Sequence, residues 1–504
     1  MATKKSRSSK YLDRHESDIH KINKRQVRVP NGFSPTGEVR EEFDNDGKKT
    51  VVIICKAKKL LVKDFIKEVE DAIDASENDL EKERICIKYS GQEDYCLLKS
   101  ALLNHHMPKN KLDHSYINAM KAKARGDGKD VIDFGMGNPD LASPSHVVDK
   151  LVEASRNPKA HRYSVSRGIT GLRRANAAYY ARRFSVEVDA EKETIVTLGS
   201  KEGFANLAMA ITSPGDVALV PNPSYPIHAY GFIIAGGTLR HLPVGPNINI
   251  IRELEQAVAH SVPKPLAVVL NFPSNPTAQV VGLDFYQEVV EFCRKHQIWI
   301  LSDLAYAEIY FDDYVPPSIL QVPGARDIAV EFSSVSKTYS MPGWRIGFAT
   351  GNSKLIAALA RIKSYLDYGA FTPVQVAATA ALNGPQDVIE AARNVYRQRR
   401  DVLVESFGRA GWNIPSPSAT MFAWAPIPDL FREIGSLEFS KLLLEHAEVA
   451  VSPGVGFGEY GEGYVRIALV ENHQRIHQAA RNIRRFLSNA EDIMGASQKK
   501  RGEL

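Results

Sequence analysis

From residue 130 onward, short apolar runs alternate with amphipathic stretches, and this alternation restricts the possible folds more than any other feature of the chain. The runs cover residues 194–198, 217–220, 266–270, 298–301 and 328–332. Each is too short for a helix and rich in β-branched or other apolar residues, as a strand covered on both faces would be. Between them lie amphipathic segments such as 284–296. Parallel strands need a crossover connection, most often a helix, so this order predicts βαβ units. The expected class is α/β: a mainly parallel sheet with helices on both faces. Toward the C-terminus helices mix with a few strands, which predicts a smaller α+β domain.

The N-terminal part has a different character. Residues 1–28 are rich in Lys, Arg and Ser, with little to bury, and read as a disordered basic extension. Pro30, Gly32, Pro35 and Gly37 punctuate a loop. Residues 48–110 read as a small folded unit of unknown role: a strand over 50–55, a helix over 62–73, a second strand over 85–89 and a helix over 95–103. Three of the four cysteines, Cys55, Cys86 and Cys96, lie here; Cys293 lies in the body of the chain. None forms a CxxC pair and no histidine cluster accompanies them, so they read as free thiols in a reducing compartment, with no metal site.

The net charge of +5 is small for 504 residues and gives no nucleic-acid footprint over the whole surface. No apolar run reaches the roughly 18–20 residues that span a bilayer. The N-terminus lacks an apolar leader, and Asp13, Glu16 and Asp18 are unlike an organelle transit peptide. The expectation is a cytoplasmic protein with no membrane partner.

The most informative chemistry is in Ser333-Ser334-Val335-Ser336-Lys337, continued by Pro342-Gly343-Trp344-Arg345-Ile346-Gly347. A lone Ser-x-Ser-Lys describes an ordinary surface lysine. The whole block, a lysine after a buried strand with hydroxyls before it and an arginine eight residues later, is what a pyridoxal phosphate (PLP) site needs. The lysine amine condenses with the cofactor aldehyde, and the hydroxyls and the planar fork of Arg345 hold its phosphate.

Other segments fit the same chemistry. Thr197-Leu198-Gly199-Ser200-Lys201 is a small-residue turn that opens a helix and offers backbone N–H groups to a phosphate. Asp303 ends a buried strand, where an unpaired carboxylate is costly. It is either a helix N-cap or a partner for a ring nitrogen. Arg466, in Tyr464-Val465-Arg466-Ile467-Ala468, is one cation among apolar neighbours and calls for an anionic partner. Asn271-Phe272-Pro273-Ser274-Asn275-Pro276-Thr277 makes a turn in any reading.

Taken in chain order, these segments resemble the fold-type I PLP-dependent aminotransferases of class I/II, over residues 111–490. The resemblance implies a seven-stranded-type sheet. It also implies an N-terminal arm and small-domain part over 111–165, a large PLP-binding domain over 166–395, a small domain over 396–490 and a polar tail from 491. It makes Lys337 the Schiff-base lysine, Asp303 the partner of the pyridine nitrogen and Tyr225 the ring stacked on the cofactor. Asn275 and Tyr306 bond the phenolic oxygen. Ser200, Lys201, Ser334, Ser336 and Arg345 hold the phosphate, with Tyr163 reaching the phosphate of the neighbouring subunit in a homodimer with shared sites. Arg466 grips the substrate carboxylate beside Asn275, and Gly137 lets the substrate approach. The loop departs from the family pattern in opening Asn271-Phe272 rather than Asn-Pro, and the lead-in around 107–124 keeps only part of the family's apolar, proline-containing segment.

The implied reaction is a ping-pong transamination between an amino acid and a 2-oxo acid, with Lys337 as general base and acid. Long stretches such as Val220-Pro221-Asn222-Pro223-Ser224-Tyr225-Pro226-Ile227-His228 look most like bacterial alanine (glutamate–pyruvate) aminotransferases. Aspartate-type and LL-diaminopimelate-type donors stay open. So do a PLP-dependent C–S lyase and an aminotransferase-like effector domain of a transcription regulator.

Overall fold

In the computed structural model of this chain, the described residues are the strands Phe33–Phe43, Lys49–Ala57 and Arg84–Tyr89, together with residues 114–246 and 248–495. They fall into two units, Met1–Lys111 and Leu112–Leu504.

The first unit contains a three-stranded sheet. Lys49–Ala57 lies in its centre, antiparallel to Phe33–Phe43 and parallel to Arg84–Tyr89. Two of these strands are where the apolar runs placed them. The first corrects the loop expected around Pro35 and Gly37 and the start of the folded unit at 48. Its register shifts between Pro35 and Val39, and it pairs on one side only. A bulge on an edge strand is where a proline is tolerated. The helices expected over 62–73 and 95–103, and the reading of residues 1–28, lie outside the described residues.

The second unit is built on a seven-stranded sheet in the order Thr194–Thr197, Gly347–Gly351, Ala329–Ser334, Trp299–Asp303, Ala267–Asn271, Val217–Asn222, Thr238–Pro243. All neighbours are parallel except Gly347–Gly351, which runs antiparallel to both of its partners. The five strands read from apolar runs are all present. Their continuous apolar character has a simple cause. Val268, Leu270 and Ile300 face one core, while Ala267, Val269 and Leu301 face another on the opposite side. Helix Leu283–His296 shows how the crossovers pack. It buries Tyr286, Val289, Val290 and Cys293, spaced along one face, and stops at Gln297, whose φ is 54°.

A separate core gathers Phe134, Tyr396, Phe407, Trp412, Phe439 and Phe486. Around it lie the antiparallel strands Phe422–Pro426, Tyr464–Ala468 and Ser452–Pro453 and the helices Gly435–Ala447 and His473–Ser488. Helix Asp387–Arg409 spans both regions: Ile389 packs in the sheet core, and Tyr396, Leu403 and Phe407 in this one. Ile493 and Met494 also pack here and residues 490–495 are helical, so chain order extends past the tail expected from 491. Among the described residues no helix is long and apolar enough to cross a membrane.

One buried acid braces the sheet. Glu331, in the strand that leads to Lys337, is fully buried. Its carboxylate oxygens accept from Ser318 Oγ at 2.6 Å, Tyr180 OH and Ile319 N at 3.1 Å, and Ser302 Oγ at 3.3 Å. Burial pushes its carboxyl up to about 7, against the pull of those donors. Glu331→Ala would leave four buried donors without this acceptor. We expect a loss of about 2–4 kcal/mol, read as a lower urea midpoint of the cofactor-loaded protein; an unchanged midpoint would rule out a bracing role.

Candidate active site

The strands deliver their chemistry at one edge. Asp303 is the last residue of its strand and lies opposite Phe332 on one side and Asn271 on the other. Ser334 pairs with Gly347, and Gly347 with Thr197. The segments just beyond this line carry most of the residues singled out in the sequence. Ligand sites in open α/β sheets lie at such carboxyl edges.

A continuous chain of contacts joins them. Lys337 Nζ donates to the Gly137 carbonyl at 3.2 Å. A Cβ on Gly137 would lie 2.4 Å from Phe422 and 3.6 Å from Arg466 Nη2, so only glycine fits there. Arg466 donates from Nη2 to the Gly135 carbonyl at 3.3 Å and from Nη1 to Asn275 Oδ1 at 2.7 Å. The Asn275 N–H donates to Asn271 Oδ1 at 2.9 Å, and Asn271 Nδ2 donates to the Asp303 carbonyl at 3.0 Å. Asp303 Oδ2 lies 2.9 Å from His228 Nε2, and Oδ1 accepts from Ala305 N at 3.1 Å. The His228 ring meets the Tyr225 ring edge-on at 5.8 Å, and Lys201 Nζ lies 5.9 Å from the Tyr225 centroid.

The phosphate candidates form a cradle. Ser200 opens helix Ser200–Ile211, with Gly199 at φ 83° before it. A Cβ on Gly347 would lie 2.5 Å from the Ser200 nitrogen, and one on Gly199 would lie 2.2 Å from Arg345 Nη2. Arg345 donates to the Pro342 and Leu198 carbonyls at 2.9 and 3.1 Å. Ser334 Oγ lies 2.9 Å from Ser336 Oγ. Tyr306 is buried against Phe422. Tyr163 stands apart: it is 87% exposed, with its ring 4.7 Å from that of Tyr368.

The site is electrostatically uneven. Arg466 is 8% exposed, its guanidinium lying 4.1 and 4.6 Å from the rings of Phe422 and Phe457. Among the described residues no carboxylate pairs with it, and its Nε has no hydrogen-bond partner. Burial pushes it down to about 10. Burial first, then the charges of Arg466 and Arg345, push the Lys337 amine down to about 8. Burial raises the phenols of Tyr225 and Tyr306, which keeps both as donors.

The sequence pattern left several participants without a role. His228 is fully buried and has the Asp303 carboxylate as its partner. Its position three residues after Tyr225 in helix Pro226–Ile234 and its N-cap was the available signal, since such residues share a face. Phe422 and Phe457, which wall Arg466, carried no such signal.

Residues 129–483 match the family model for aminotransferase class I and II. The chain belongs to this family. A putative aminotransferase, AatC, of Rhizobium meliloti is 65% identical over 75% of this chain and 93% of the relative. The glutamate-pyruvate aminotransferase AlaC of Escherichia coli is 52% identical over 75% of this chain and 92% of the relative. Among solved structures, apo-BacF from Bacillus subtilis is similar at a TM-score of 0.68 and 36% identity, covering 71% of this chain and 95% of that one.

The family's cofactor is PLP, and the residues present fit it. An amine of lowered basicity, a glycine-lined turn that a Cβ would fill, and a buried carboxylate at the same strand edge are the features such a group requires. Gly347→Ala should lower PLP affinity at least tenfold, because the added methyl meets backbone rather than a movable side chain. Titration of the cofactor-free protein measures this; parental affinity would show that the cradle is not where the phosphate sits.

Proposed function

We propose that this aminotransferase exchanges the amino group between L-alanine and 2-oxoglutarate, giving pyruvate and L-glutamate. The observation that carries the site assignment is Arg466, a buried cation with no carboxylate beside it among the described residues. Burying an unpaired guanidinium costs several kcal/mol, and a substrate carboxylate in its fork would offset that. The Gly135 carbonyl accepts from this arginine and the Gly137 carbonyl from Lys337, so a carboxylate held by Arg466 would carry its α-carbon toward the lysine amine. The choice of alanine and glutamate as partners is supported by the AlaC relative.

Each residue then has a defined task. Bound PLP supplies an electron sink for the charge that develops at the substrate α-carbon. Lys337 would hold the cofactor, and its freed Nζ would take the α-carbon proton as general base and later return it. Asp303, oriented by His228, would face the ring nitrogen and favour its protonated form. Asn275 and Tyr306 would bond the phenolic oxygen, and Tyr225 would stack on the ring. Ser200, Lys201, Ser334, Ser336 and Arg345 would hold the phosphate. Gly137 leaves room for the substrate.

The active unit in this proposal is a homodimer. Tyr163, Val165, Tyr365, Leu366, Tyr368 and Phe371 are exposed large apolar residues on two segments joined by the Tyr163–Tyr368 and His161–Phe371 ring contacts. Exposed apolar surface of this kind marks an interface, and Tyr163 would there serve the neighbouring site.

With PLP bound, L-alanine should shift the cofactor absorption band, and pyruvate should form only when 2-oxoglutarate is supplied. Lys337→Ala should abolish both. Arg466→Lys should raise KM for both substrates by about 30-fold, since lysine lacks the planar fork. A normal band without pyruvate would sink the alanine assignment, and LL-diaminopimelate and aspartate would then be tried as donors. Keto-acid release without any acceptor would point to a lyase.

The lysine sets a pH dependence. Its folded value of about 8 lies below the ordinary 10.5, so the neutral, nucleophilic amine accumulates above about 8. The rate at which cofactor-free protein captures PLP should therefore rise with pH to a midpoint near 8. A midpoint near 10.5 would contradict the buried, cation-flanked setting of the amine.

A further inference from the structure

The strand Val217–Asn222 ends in a buried asparagine three residues before Tyr225. Its side chain makes none of the contacts described above. Asn222 Oδ1 accepts from the Tyr460 N–H at 3.2 Å, and the next turn repeats the contact, with Ser224 N donating to the Phe457 carbonyl at 2.8 Å. The segment Gly454–Gly461 is fitted closely around this asparagine. A Cβ on Gly458, whose φ is 131°, would lie 2.1 Å from Asn222 Oδ1.

The same segment is anchored on its other side. Ser436 Oγ accepts from Val455 N at 3.2 Å and lies 3.1 Å from Glu462 Oε2, and Glu462 Oε1 accepts from Ser436 N at 2.5 Å and Gly463 N at 2.8 Å. Thus the segment is a strap, tied at Val455 and just past Gly461 to the helix Gly435–Ala447 and, between them, at Phe457 and Tyr460 to the end of a sheet strand. Phe457, in its middle, packs against the Arg466 guanidinium at 4.6 Å and against Trp424 at 6.2 Å. Wherever the strap sits, Phe457 goes with it, and Phe457 is one wall of the carboxylate site.

We propose that Asn222 is a positioning residue for substrate carboxylate: by clasping Tyr460 it seats Phe457 on Arg466, and so sets the affinity of the arginine without touching substrate or cofactor. This rests on the reading of Arg466 as the carboxylate ligand. A guanidinium shielded by an aromatic wall is drier, and a desolvated cation holds an anion more tightly than a wet one. A slack strap lets water reach the guanidinium.

The test is glutarate binding to the PLP-loaded protein, measured by titration calorimetry. Glutarate carries carboxylates but no amine or keto group, so it reports the carboxylate site without turnover. Asn222→Ala removes the acceptor. Tyr460→Pro removes the donor at a half-exposed position and leaves the buried asparagine in place. Each should weaken glutarate by about three- to tenfold, raise KM for alanine by a similar factor, and leave kcat and PLP affinity within about twofold. Arg466→Ala separates the two claims. If it binds glutarate like the parent, the reading of Arg466 fails and the clasp falls with it. If it loses glutarate while both clasp variants bind like the parent, the clasp alone is overturned. Equal losses of PLP affinity and glutarate affinity in the clasp variants would also overturn it, since they would mark a general structural role.

Discussion

Backbone register at one edge of the sheet is the constraint on which the rest depends. Ser334 lies opposite Gly347 and Gly347 opposite Thr197, while Asp303 lies between Phe332 and Asn271. These pairings bring the ends of separate strands level, so that Lys337, Ser200, Asn275 and Tyr225 leave the sheet from neighbouring positions. The antiparallel strand Gly347–Gly351 is the unusual member. It starts at this edge rather than ending there, which is why Arg345, placed before a strand, enters the same space as residues placed after strands. A slip of one residue would turn Asp303 to the opposite face and break the site. The two-sided apolar packing of the central strands, with Val268 and Leu270 on one side and Val269 on the other, is what holds the register.

Given that frame, electrostatics decides what the edge can do. The site holds Lys337, Arg345 and Arg466, and the first of these is buried among the fields of the other two. Such a collection is costly without anions. A phosphate and a substrate carboxylate are the natural counter-charges, and the protein supplies few of its own on this side: Asp303 faces His228, and Glu331 is enclosed by hydroxyls and an amide one layer below. The same imbalance that would destabilise an empty site favours ligand binding and keeps the lysine amine reactive near neutral pH.

Much of the proposed site was legible in the sequence because its candidates sit in short contiguous motifs. Lys337 with its hydroxyls, Asn275 in its turn and Asp303 at a strand end each carry a local signature. Arg466 was legible as a cation in an apolar strand, although its neutral partner, Asn275, lies 191 positions away and only the fold joins them. What escaped the sequence was what depends on pairing. Thr238–Pro243 is a sheet-edge strand with polar residues, and Gly347–Gly351 is glycine-rich; neither has the apolar run of a central strand. Phe33–Phe43 escaped for the related reason that its prolines and glycines suit a turn as well as a bulged edge. His228 was visible in the sequence, yet only its contact with Asp303 gives it a role.

The two cores bear on the site differently. In the proposed site Asn275, Asp303 and Lys337 follow or end strands of the sheet, whereas Arg466, Phe422 and Phe457 come from the strands and turns around the second core, in which Tyr306 also packs. These two bodies of packing are joined by the long helix Asp387–Arg409, by the segment 304–311, whose Leu304 and Ala307 pack in the sheet core and whose Tyr306, Ile309 and Phe311 pack in the second, and by polar contacts across the site. Those contacts are single hydrogen bonds, each contributing about 1 kcal/mol, while each core is held by many buried side chains. A small relative movement of the two would therefore cost less than a change within either. It would alter the fit of the carboxylate site before it disturbed the cradle around Ser200 and Arg345.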